Sequence, residues 1–186
     1  RQALLTNKPE EALNYFQQAV QTDPDYVARY GGLQEGVWTY VGRTQYNLGR
    51  LSEARESLEK AVSLYPDDPM ARLYLGLTLV RSGDRTRGLK AIESGLKGLY
   101  DRLEHVTYRT IYGYFWDPTR RIRSEIEKTL AMIAGRDIDR QELIASAEWV
   151  GRKMEEEIDR ARQDKRQYRR ERRRPMGTGV FMDLDF

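Results

Sequence analysis

Small residues return at fixed intervals through the first hundred or so positions of this chain, and that recurrence restricts its fold more than any other feature. Shifted by 34 positions, Val41-Gly42 falls on Leu75-Gly76, Gly49 on Gly83 and Leu58 on Ile92. Shifted by 42, Ala12, Phe16, Ala19 and Pro24 fall on Ala54, Leu58, Ala61 and Pro66. A period in this range marks repeated supersecondary units, none able to bury its apolar face alone. The residue types specify paired antiparallel helices. Gly42 and Ala54 sit where two helices must approach closely, so side chains there are small. Trp38, Val41 and Leu58 fill the seam between the helices and the next pair. Gly49 ends the first helix, and Pro66 stops the second. Asp68 and Pro69 then read as the N-cap and first residue of another helix.

The best unit runs from Glu35 to Asp68 and carries Trp38, Val41, Gly42, Gly49, Ala54, Leu58, Ala61 and Pro66. On those residues the sequence resembles the tetratricopeptide repeat family. The resemblance implies an all-α, right-handed solenoid of helical hairpins, and it covers roughly residues 4–100. The first unit is present as its second helix, Pro9 to Thr22, with Leu4 and Leu5 ending a first helix. The third, Pro69 to Tyr100, has Gly88 and Gly95 where alanine is usual and Tyr100 in place of the closing proline. The longer spacing between the first two units places an insert within Tyr26 to Gly36. Its Gly31, Gly32 and Gly36 predict a bent, irregular connection.

Residues 1–100 are thus expected to hold the repeats, 101–135 a capping hairpin, 136–174 a long helix with a basic end, and 175–186 a flexible or docking tail. A helix over Asp101–Trp116 is predicted by Leu103, Val106, Tyr108, Ile111, Tyr112 and Phe115, and Asp117-Pro118 opens another from Thr119 to Ala134. From about Asp139, Leu143, Ala147, Val150, Met154 and Ile158 follow three- and four-residue steps. That narrow stripe suits packing along the solenoid or against one partner helix. Between Arg162 and Arg174 stand eight cations (Arg162, Lys165, Arg166, Arg169, Arg170, Arg172, Arg173 and Arg174) against Asp164 and Glu171, a local net of 8 − 2 = +6. The whole chain carries +3, so the remainder is 3 − 6 = −3. Beyond Gly177-Thr178-Gly179, Val180, Met182, Leu184 and Phe186 nearly alternate with Asp183 and Asp185, which is a strand period.

Composition narrows the chemistry. Cysteine is absent, which excludes disulfides, thiolate metal sites and a thiol nucleophile. His105 is the single histidine, so no histidine relay or cluster is available. It reads as a surface or packing residue. Glu155, Glu156 and Glu157 read as a solvated helix face, and no glycine loop has a phosphate-binding context. No apolar run approaches a membrane span. No enzyme site and no cofactor are expected. A mean hydropathy of −0.77 suits a thin, well-solvated solenoid. The opening residue, Arg1, is what a processed or trimmed chain shows. A bacterial cytosolic or periplasmic, envelope-associated setting is equally compatible with these features.

The expected function is a protein–protein scaffold or adaptor. The family resemblance implies a concave groove lined by the first helix of each hairpin. The matching positions are Thr39, Arg43, Tyr46 and Asn47, then Met70, Leu73, Leu77, Val80 and Arg81. Members that clamp a terminal carboxylate use Lys, Asn and Arg at several of these positions. Thr39, Leu73 and Leu77 stand there instead, so an amphipathic helix or extended apolar peptide is the expected ligand. Two competing occupants are also anticipated. Helices from 101–174 can fold back and fill the groove, and the tail Val180, Met182, Leu184, Phe186 can dock in its own or a second copy, giving self-association. The rival function is nucleic-acid or anionic-surface binding through the arm 162–174.

Overall fold

A computed structural model describes residues 2–6, 8–30, 33–109, 116–135 and 138–172, with only the backbone of 107–109, 161 and 164–172. Its elements run α1 (Gln2–Leu5), α2 (Pro9–Thr22), β1 (Val27–Tyr30), β2 (Leu33–Gly36), α3 (Val37–Asn47), α4 (Leu51–Leu64), α5 (Pro69–Arg81), α6 (Arg85–Arg109), α7 (Arg121–Ala134) and α8 (Arg140–Arg172). The fold is that of a helical repeat. The tail, with Val180, Met182, Leu184 and Phe186, lies outside the described residues, as do Arg173 and Arg174.

Two hairpins, α3–α4 and α5–α6, form the centre, and glycine sets how closely their helices approach. A Cβ on Gly42 would lie 2.4 Å from Leu58 Cγ, and one on Gly76 would lie 2.5 Å from the Ile92 backbone nitrogen. The two departures in the third unit have the same cause. A Cβ on Gly88 would meet the Val80 nitrogen at 2.8 Å, and one on Gly95 the Leu73 nitrogen at 2.6 Å. Backbone therefore packs almost directly on backbone along α5–α6, closer than alanine would permit. Gly49 and Gly83 turn each hairpin at φ +74° and +96°, a left-handed conformation that disfavours side chains.

Asp68 joins the hairpins. Its carboxylate accepts from the Ala71 amide at 3.0 Å, capping α5 beside Pro69 as the sequence predicts. It also accepts from the Gly36 amide at 3.1 Å and the Thr39 hydroxyl at 2.6 Å, fixing the start of α3. On the outer side of the first hairpin, Lys60 Nζ lies 3.7 Å above the Trp38 ring.

Three local expectations change. The insert is an antiparallel pair, Val27 opposite Gly36 and Tyr30 opposite Leu33, not an irregular bend. Ala28 and Leu33 point into two separate cores, which holds a sheet too small to stand alone. The helix expected from Asp101 is the continuation of α6. Nothing between Arg85 and Arg109 interrupts the ladder, since Tyr100 replaces the proline that would have done so. Helix α7 starts at Arg121 rather than Thr119, because Asp117 caps from further back. Its carboxylate accepts from the Ile122 and Arg123 amides, both at 3.0 Å, and from Arg123 Nε at 3.1 Å. Residues 110–115, which include Ile111, Tyr112 and Phe115, lie outside the described residues.

Gly76→Ala places a methyl against rigid backbone on two sides. It is expected to destabilise the chain by about 1–3 kcal/mol in chemical denaturation, the cost of overpacking a tight core.

Candidate partner-binding face and the helix that covers it

The face made by α3 and α5 is where the repeat pattern places a groove, and α8 lies across it. Leu143, Ala147, Val150, Met154 and Ile158, one side of α8, are at most 1% exposed and join the main core. Four of them are large. At about 1.5–3 kcal/mol for each such side chain, their burial is comparable with the whole stability of an ordinary domain, about 5–15 kcal/mol. Helix α8 is therefore part of the fold, not a loosely held visitor.

Polar contacts fix its register. Arg43 of α3 is 2% exposed and donates to Glu155 Oε2 at 2.9 Å on one side and Glu35 Oε1 at 3.3 Å on the other. Its guanidinium also lies 4.9 Å from the Tyr74 ring centroid and 5.7 Å from that of Tyr40. One turn further along α3, the Tyr46 hydroxyl donates to Glu148 Oε1 at 2.5 Å. Between these anchors Gly151 passes Tyr74, whose hydroxyl would lie 2.6 Å from an added Cβ. Beyond them, Arg140 donates to the Val80 carbonyl at 2.6 Å. An acid, a glycine and a second acid on α8 thus match a tyrosine, a ring and an arginine below.

The sequence-derived groove residues divide accordingly. Met70, Leu73, Leu77 and Val80 lie in the main core. Thr39 is buried on Asp68, and Arg43 and Tyr46 are buried with their polar ends on α8. Asn47 and Arg81 remain exposed. The apolar stripe of α8 joins the same core, so a helix from 101–174 lies over this face.

The acidic run needs correcting. Glu155 is buried on Arg43 and Glu157 accepts from the Asp117 amide at 3.2 Å, whereas Glu156 is exposed. Their periodicity could have signalled this: Glu155 follows the buried Met154 by one residue, on the edge of the stripe. His105 is exposed. Of the basic arm, Arg162 lies 5.2 Å over the Tyr30 ring. Lys165, Arg166, Arg169, Arg170 and Arg172 continue the α8 backbone.

Burial dominates the titration of this cluster. It pushes the Glu35 carboxyl from its ordinary 4.5 up to about 8, against the pull of Arg43 and with help from Glu155 and Asp68. Burial likewise raises Asp68, despite its bonds to Thr39, Ala71 and Gly36. Burial alone would lower Arg43, but the charges of Glu155 and Glu35 outweigh it and hold the guanidinium protonated. The Tyr46 phenol is raised by burial and then by its bond to Glu148. This is the chemistry of an internal ionic joint.

Among the openings that α8 borders, two reach α3. One, of about 350 Å³, is a mouth lined by Leu4 and Leu5 of α1, by Arg43, Tyr46, Asn47, Tyr74 and Arg81, and by Glu148, Arg152, Glu155 and Glu156 of α8. The other, of about 500 Å³, is an aromatic cleft containing Phe16, Tyr26, Ala28, Tyr30, Val37 and Tyr40, walled by Asp159, Arg162 and Gln163. Among the described residues no group of three or more His, Asp or Glu side chains is arranged to hold a metal ion. No described helix is long and apolar enough to cross a membrane.

Comparison with known proteins is consistent with this geometry. Residues 3–72 match the family model of the tetratricopeptide repeat, from α1 into the start of α5. No curated protein and no solved structure matches the chain.

Glu35 gives the joint a pH signature. From about pH 4.5 to about pH 8 the folded chain keeps a proton that the unfolded chain has lost. Stability from this group is complete below that window and is lost as pH rises through it. Glu35→Gln is expected to flatten the fall in thermal midpoint across the same window. Parallel curves for the two proteins would show that Glu35 is ionised throughout.

Proposed function

We propose, for a chain whose residues 3–72 match the tetratricopeptide repeat model, a non-enzymatic scaffold that takes a partner polypeptide at the mouth beside α8. Such repeats generally mediate protein–protein interaction. The coarse reading rests on that, and the location rests on what α8 leaves uncovered. The central part of the concave face is closed, and the exposed remnants of its expected lining, Asn47 and Arg81, border the mouth with Arg152 and Glu156. Leu4 and Leu5 supply an apolar wall. An amphipathic peptide or helix bearing both charge signs fits this lining: it would set apolar side chains on α1 and pair its charges with Arg81, Arg152 and Glu156.

Binding of nucleic acid through the arm 162–174 ranks second. Arg162 is engaged with the Tyr30 ring, which turns one of the eight cations toward the protein.

A chain with Asn47→Glu and Arg152→Glu tests the proposal, with Arg81 kept because it lies 5.0 Å from the Tyr46 ring and 3.8 Å from Glu148. Both substituted side chains lie outside the buried stripe, so the melting midpoint should stay close to that of the parent. Affinity capture from a nuclease-treated lysate should retain a protein on the parent chain and lose it by about tenfold or more on the variant, as one to two disrupted interface anchors would produce. Equal retention of the same proteins on both would exclude the mouth. Retention that vanishes after nuclease treatment would instead favour the arm.

A further inference from the structure

We infer that the aromatic cleft beside β1 is the docking site of the chain's own C-terminal segment, residues 180–186. The cleft is separate from the mouth and is built differently. Phe16 of α2 stacks on Tyr40 of α3 with ring centroids 4.9 Å apart, and Tyr26, Ala28 and Tyr30, alternate residues at and within β1, line it beside them. Tyr26 is 51% exposed, a large apolar surface left in water at the rim. The sheet has two strands, so β1 has a strand neighbour on one edge among the described residues. An alternating strip of aromatic and small side chains is complementary to an extended peptide with apolar side chains at every second position.

The chain carries one such peptide, and its connection is the right length. Val180, Met182, Leu184 and Phe186 take every second position, with Asp183 and Asp185 between the last three and Phe181 the one apolar residue out of step. The far wall of the cleft is α8 itself at Asp159, Arg162 and Gln163. From Arg162 to the last described turn at Arg172 is about 15 Å of helix. The seven residues 173–179 can span roughly 23 Å, and Gly177 and Gly179 permit the chain to reverse. Residues 180–186 therefore reach back to the cleft without strain. Charge agrees as well. Arg162 stands over Tyr30 at the cleft, opposite in sign to Asp183 and Asp185. The acid on the wall, Asp159, already accepts from Gln163 Nε2 at 2.8 Å. With α8 lying over α3 and α5, the cleft is an apolar surface within reach of the tail.

The absence of cysteine makes the test clean. A full-length chain with Tyr26→Cys and Leu184→Cys should oxidise to an intrachain disulfide, seen as a mobility shift at monomer mass. Its rate should exceed by about tenfold that of a Lys97→Cys, Leu184→Cys chain, since docking raises the local concentration of the tail thiol. Replacing Val180 and Met182 by Asp in the first variant should remove the advantage while leaving the melting midpoint unchanged. Equal rates for the two cysteine pairs, an unchanged rate after the Asp substitutions, or a disulfide that joins two chains would each overturn the assignment.

Discussion

A guanidinium out of contact with water is the constraint on which the arrangement depends. Removing a charge from solvent costs several kcal/mol unless partners surround it, and the partners of Arg43 come from three directions. Glu35 arrives on β2, Glu155 on α8, and the rings of Tyr40 and Tyr74 close the remaining sides. The strand pair cannot shift, nor α8 slide by a turn, without stranding the charge. Glu155 is 112 residues from Arg43 in the chain, so the contact ties the last long helix to the first complete repeat. The apolar stripe supplies most of the attraction, and the buried ions set the register.

Much of this architecture was legible in the sequence, and the parts that were not share a physical character. Close approach of helices leaves a residue-level trace. Only small side chains fit there, so Gly42, Gly76 and Ala54 could be placed before any coordinates, and Asp68-Pro69 marked a helix start through its own local chemistry. The stripe on α8 was equally clear, because a helix buries one side at a fixed period. What it packs against was not, since periodicity names a face and not its partner. Glu35 and Glu155 were illegible for a related reason. Neither acid's own neighbours mark it as buried, and each is buried through Arg43, eight residues from Glu35 and 112 from Glu155. The β1–β2 pair was hidden by its glycines, whose neighbours form strands only because Ala28 and Leu33 find cores on either side.

For function, the consequence is a redistribution of the available surface. Met70, Leu73, Leu77 and Val80 serve as core, Leu73 and Val80 against Gly95 and Gly88 of α6, while α8 engages Arg43 and Tyr46 of α3. Two of the openings beside that helix reach α3, and they differ in chemistry. The mouth is ionic and mixed in sign, with a small apolar wall, and suits a partner read by its charges. The cleft is aromatic and narrow in its demands, favouring an extended apolar strand. Both are bounded by α8, so whatever fixes that helix fixes the shape of each.

Native-state hydrogen exchange on the α8 amides tests the central claim most directly. If α8 is an integral cover, the amides of Val150, Met154 and Ile158 will exchange with the same free energy and denaturant dependence as those of Leu73 and Leu77 in α5, the signature of global unfolding. Exchange of the α8 amides at a clearly lower free energy, while α5 stays protected, would mean that the helix lifts away and the concave face opens. That result would contradict the account.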